Sequence, residues 1–212
     1  MHLIPQSWSH LHILVGVFPS FGLVFVLGFY IAGLATDNKV TKRTCLAAFG
    51  VLAVLAIPTY FSGAGSMATL SGSSRISKVM LDTHYGWGMA ALLVLVATGG
   101  VACFGLWQSR AGGVSNIVLR SVLGLAVVAL GLMIVADGWE ITHRELEITV
   151  VIPEVSTPQV WSHVHMILNH APTVGFVFAI AFFIIGIVAK NDAMTRGSLI
   201  LFIICSIPTI HC

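Results

Sequence analysis

The chain has 212 residues, of which 57% are hydrophobic and only 8% charged, with a mean hydropathy of +0.98 and a formal net charge of +2. A water-soluble core of this size cannot hide that much apolar surface, so a soluble domain is excluded and an integral membrane protein is expected. No strictly alternating polarity suits a barrel, so the spans are expected to be helices of roughly 20 apolar residues.

In chain order, residues 11 to 35 carry no charge and predict a first membrane helix, with Gly16 and Pro19 marking a kink near its start. Lys39, Lys42 and Arg43 follow it and no Lys or Arg precedes it, the reverse of a cleavable leader. A second helix is expected from about Thr44 to Phe61, and the stretch SGAGSMATLSGSSRISK after it reads as a Gly/Ser-rich loop. A third helix is expected from about His84 to Trp107 and a fourth from about Asn116 to Ala136. Residues 137 to 159 carry most of the acidic groups around LEITVVIP, a short strand or an extended linker. A fifth helix is expected from about His163 to Ala189. A sixth, from Gly197 to Cys212, falls short of a comfortable span.

One stretch occurs twice. PQSWSHLHILVGVFPSFGLVF at 5–25 and PQVWSHVHMILNHAPTVGFVF at 158–178 superpose at an offset of 153. Trp8 then falls on Trp161, His10 on His163, His12 on His165 and Pro19 on Pro172. The expected architecture is therefore an all-α polytopic membrane bundle of about six transmembrane helices. It comprises a first four-helix repeat at 1–137, a periplasmic linker at 138–160 and a truncated second repeat at 161–212.

Cations and carboxylates divide unequally between the two sides. The loops after the first, third and fifth helices carry Lys39, Lys42, Arg43, Arg110, Arg120, Lys190 and Arg196 against Asp37 and Asp192. The positive-inside rule then places those loops in the cytoplasm and the N-terminus outside, which for a bacterial inner membrane is the periplasm. All nine histidines fall toward that outer face, with Trp8, Trp87, Trp139 and Trp161. An interfacial Trp belt is expected on physical grounds, whereas histidine has no such preference.

Three roles fit the histidines. In the first they hold a metal centre, haem b or copper, since neutral imidazole suits both. His12 and His84 begin parallel helices at one depth, and Gly16, Gly86 and Gly88 would leave room for a flat macrocycle. His10 and His143 are further candidates beside them, and His163, His165 and His170 are metal candidates in the second copy. His10 and His12 lie about 200° apart on a helix, so the H-x-H pair faces one ligand only if the chain is extended there, an arrangement suited to copper or zinc. In the second role His84, His143, Asp82 and Glu140 handle protons at a quinol site. In the third the histidines only cap helices and pack.

Cys45, Cys103, Cys205 and Cys212 form no C-x-x-C and read as buried thiols. No H-E-x-x-H, phosphate loop, G-x-S-x-G or basic aromatic groove is present, so neither a hydrolase motif nor nucleic acid binding is signalled.

Residues 161–175, W-S-H-V-H-M-I-L-N-H-A-P-T-V-G, resemble a family of uncharacterised bacterial multi-spanning membrane proteins sharing an H-x-M-L-N-H-x-P-type start to a helix pair. At 8–22 the likeness is similar, with Gly16 and Val17 in place of the Asn-His pair. The resemblance implies a four-helix unit with periplasmic histidines in cofactor binding and carries over no activity. The expected function is an integral subunit of a respiratory or other redox membrane complex, with quinol or a periplasmic redox protein as partner. The alternative is an accessory subunit without cofactor, packed against other membrane subunits in the lipid bilayer.

Overall fold

A computed structural model describes residues 7–71, 78–136 and 160–207. Six helices occur among them: α1 (Trp8–Ala35), α2 (Lys39–Leu70), α3 (Lys78–Arg110), α4 (Asn116–Ala136), α5 (Val160–Val188) and α6 (Asp192–Ser206). Four segments are long and apolar enough to cross a membrane: Leu11–Ala35, Lys39–Met67, Leu81–Arg110 and Asn116–Val135. The protein is thus an all-α helical membrane bundle. The acidic stretch 137–159, expected as strand or linker, lies outside the described residues.

The helices are longer than composition suggests, above all where a Gly/Ser loop was expected. α2 continues through SGAGSMATL because its polar groups are satisfied within the helix. Ser62 Oγ donates to the Thr59 carbonyl at 2.8 Å, and Ser66 Oγ to the Ser62 carbonyl at 2.9 Å. Its glycines mark close approach instead of turns. A Cβ at Gly63 would stand 2.9 Å from His12 Cε1, and one at Gly65 2.8 Å from the Trp8 ring.

α1 packs on α2, α2 on α3, α3 on α4 and α4 back on α1, a closed ring in which α1 lies diagonally across from α3. Leu23, Val26, Leu52, Leu95 and Val122 are fully buried in its core. A Cβ at Gly99 would collide with Ala53, so the bare backbone of α3 sets how closely it meets α2. Tyr30 reaches from α1 to donate to the Leu119 carbonyl of α4 at 3.0 Å. Cys45 and Cys205 are buried as expected, whereas Cys103 is exposed; Cys212 lies outside the described residues. Val54, Leu93, Phe104 and Ile134 cover the outside with apolar surface, as a lipid-facing exterior requires.

α5 runs parallel to α1, with Phe25 against Phe178 and Phe29 against Phe182 at ring separations of 6.4 and 4.5 Å. The α1–α2 and α5–α6 turns share one geometry. Asp37 (φ 50°) and Lys190 (φ 51°) take the left-handed conformation. In both turns the next residue's amide bonds the carbonyl five residues back, Asn38 to Gly33 and Asn191 to Gly186, which is the Schellman closure of a helix. Asn38 and Asn191 then cap α2 and α6, accepting from Thr41 N and Met194 N. Their side-chain amides also bond each other, at 2.8 and 3.2 Å. The Phe25–Phe178, Phe29–Phe182 and Asn38–Asn191 pairs are all separated by the offset of the sequence match.

Candidate functional site between two histidine-bearing helices

The N-termini of α1 and α3 and the far end of α2 meet at one end of the ring, opposite the α1–α2 turn. α1 brings His12 there on its second turn and α3 brings His84. Their ring centroids are 6.4 Å apart and their planes nearly perpendicular, at 88°. α1 and α3 are diagonal partners, and both imidazoles are half-buried where their N-terminal ends approach.

His12 has a defined orientation. Its Nδ1 lies 2.8 Å from the Thr59 carbonyl oxygen of α2. A carbonyl only accepts, so Nδ1 carries the proton and Nε2 keeps its lone pair. This is the hydrogen bond that metal-binding histidines use to fix tautomer and ring direction. Ser62 Oγ stands 3.5 Å from the same Nδ1. The missing side chain of Gly63 makes room for the ring.

Two imidazoles on opposite sides of one metal ion, each bonded at roughly 2.0 Å, place their ring centroids about 6 Å apart. The observed separation fits that distance. Among the described residues no group of three or more His, Cys, Asp or Glu is assembled that could hold a metal ion. A pair of imidazoles matches the axial ligation of haem, whereas copper or zinc takes three or four protein ligands. A Cβ at Gly86 or Gly88 would meet nothing within 4 Å, so α3 is open on those sides. Gly16 differs from expectation: its bare face lies 3.5 Å from the Thr59 methyl group, so it serves the α1–α2 contact instead of cofactor clearance.

The H-x-H pair is not extended. The helical backbone of α1 starts at Trp8 and that of α5 at Val160, which places residues two apart about 200° around each helix. The expected grip of His10 with His12, or of His163 with His165, on one copper ion is therefore lost to the helical period. The side chains of His10, His163, His165 and His170 lie outside the described residues, as do His143 and Glu140 entirely. Asp82 is exposed near the start of α3, two residues from His84 and so on another side of the helix.

Sequence reasoning missed the contribution of α2. The Thr59 carbonyl, Ser62 and Gly63 sit in or beside a stretch that composition marks as loop, and a backbone carbonyl leaves no signal in residue identity. Tyr60 and Tyr85, with rings 5.0 Å apart, were also missed. Tyr60 is 9% exposed, and its hydroxyl lies near Tyr85 without meeting ordinary hydrogen-bond geometry.

Compared with protein-family models, known proteins and solved structures, the chain matches none, so the functional reading rests on the geometry of this site.

Proposed function

We propose that the protein is an electron-transferring membrane subunit in which His12 and His84 are the two axial ligands of a b-type haem. The observation that carries this reading is that the two rings stand 6.4 Å apart while Nδ1 of His12 is bonded to the Thr59 carbonyl, so that Nε2 is the nitrogen that would be left for a metal. A haem held there supplies one-electron redox chemistry at one end of the spans. The chain's own part is to hold two imidazoles from diagonal helices and to fix one tautomer through α2.

On this reading the 153-residue offset reflects two copies of one hairpin, and the first copy is the one that builds the site. The histidine end faces the periplasm of a bacterial inner membrane, where quinol or a soluble redox protein exchanges electrons with it. Carboxylates on that side, Asp82 and Glu140 among them, are available to take up released protons.

The test is a dithionite-reduced minus oxidised absorption spectrum of the purified protein, with elemental analysis for iron and copper. The expected result is a haem b band that disappears in His12→Ala and in His84→Ala and persists in His2→Ala. Retention in both of the first two variants would show the ligands to be elsewhere. Absence of iron and copper from the wild type would leave the accessory-subunit reading standing.

A further inference from the structure

At the end of the bundle opposite the histidines, the Asn38–Asn191 pair brings the starts of α2 and α6 together. Five cations stand on these two turns and first helical turns, Lys39, Lys42, Arg43, Lys190 and Arg196, against two carboxylates, Asp37 and Asp192. Lys42 is engaged by Asp37 in the one ion pair among the described residues. That contact holds the Asp37 carboxyl below its usual range, first through the hydrogen bond from Lys42 and then through its charge. Lys39, Arg43, Lys190 and Arg196 are all exposed and face Asp192 alone as opposing charge.

Each arginine also heads an apolar stripe. Below Arg43 on α2, at helical spacing, come Ala47, Val51 and Val54; below Arg196 on α6 come Ile200, Ile203 and Ile204. All six are exposed, Val54 at 65% and Ile203 at 60%. A cationic head above an exposed apolar strip, near the start of the span Lys39–Met67 on α2 and of the shorter apolar helix α6, is complementary to an anion that carries acyl chains. The partial positive charge of two adjacent helix N-termini acts in the same direction. Nucleic acid or an acidic protein would use the cations and leave both stripes unused.

We infer that this seam is a binding surface for anionic phospholipid: Arg43 and Arg196, supported by Lys39 and Lys190, hold phosphodiester headgroups on either side of the Asn38–Asn191 pair. The acyl chains lie along the stripes of α2 and α6. The inference does not depend on the haem reading.

The experiment adds dioleoyl phosphatidylglycerol or dioleoyl phosphatidylcholine to the detergent-solubilised full chain. Bound lipid is counted by native mass spectrometry and its effect on melting temperature recorded. The expected result is retained phosphatidylglycerol, with a raised Tm, and no comparable retention of phosphatidylcholine. Arg43→Gln and Arg196→Gln should each weaken binding roughly fivefold and the double variant about 25-fold. Arg110→Gln, a cation on the α3–α4 loop of the same membrane side, should leave it unchanged. Millimolar inorganic phosphate should not displace the lipid; displacement would reduce the surface to a simple anion site and overturn the lipid assignment. Equal retention of the two lipids by the wild type overturns the proposal even if every variant misfolds. An Arg110→Gln effect as large as that of the double variant also overturns it, by showing that the cations act only as general charge.

Discussion

The α1–α2 and α5–α6 hairpins begin with matching sequence and share a turn, yet they end in different surroundings. Leu46 and Phe49 of α2 are fully buried, while Leu199 and Phe202, identical residues at the matching positions of α6, are 47% and 45% exposed. The difference comes from α3 and α4, which close over the first hairpin. Its helix α2 presents Gly50 and Ala53 to α3, with Gly50 facing Cys103 and Ala53 facing Gly99. At the matching positions α6 carries Ile203 and Ser206. One hairpin can therefore serve as half of a closed bundle or as a helix pair with an open face, and small residues on its second helix accompany the closed form. Among the described residues the facing histidine pair belongs to the closed form, because His84 arrives on α3.

The sharpest way to break this comparison is to remove the matching histidines one at a time. His12→Ala should abolish haem binding while His165→Ala retains it, as read from the reduced spectrum and iron content. Equal losses would mean that both hairpins build sites.

Next in size is the closure itself. Gly99→Leu forces a side chain against Ala53 and the Phe49 carbonyl, with an expected loss of about 1–3 kcal/mol and a lowered Tm. The control Gly124→Leu lies where a Cβ meets nothing within 4 Å and should be nearly neutral.

The seam gives a paired test of smaller size. A Cβ at Gly22 would press on Leu52 and Phe178, and one at Gly175 on Cys205 and Phe25. Gly22→Ala and Gly175→Ala should each cost about 1–3 kcal/mol in thermal unfolding, and by similar amounts, since matching positions carry the strain. A cost confined to one would show the seam to be asymmetric.

The turns should differ least. Lys190→Gly relieves a non-glycine residue from a left-handed position that costs about 1–2 kcal/mol, against about 0.4–1 kcal/mol of added unfolded-chain entropy, and should be a small net stabilisation. Asp37→Gly should gain less, because it also removes the partner of Lys42. The Asp37 contribution has a pH signature. Its carboxyl titrates lower folded than unfolded, so its stabilisation is present above the ordinary carboxylate range and is lost as pH falls through the lowered value. The exposed position keeps that effect small, and comparing acid-limb melting of wild type with Asp37→Asn measures it.

Much of the fold was legible because the physical demand was simple. Long apolar runs located α1 and α4 to within a few residues, since a span must be long and apolar. The ends of α2 and α3 were not legible. Gly63, Gly65, Ser62 and Ser66 carry turn chemistry by composition, yet the serines bond back within the helix and the glycines pack against His12 and Trp8. At the site, the common depth of His12 and His84 was legible, but neither begins its helix, since α1 starts at Trp8 and α3 at Lys78. Gly16, expected to leave room for a macrocycle, faces Thr59.

The amino-acid sequence by itself determined that this is a helical membrane protein, where its apolar spans run and which residues match at a fixed offset. Hydrophobicity, charge and identity are local properties, and each can be read without knowing what a residue touches. The tertiary structure decided that His12 is held by a backbone carbonyl and stands close to His84, and that Asn38 meets Asn191 across the seam. Those facts depend on which helices are diagonal and which adjacent, and the chain settles that only by packing.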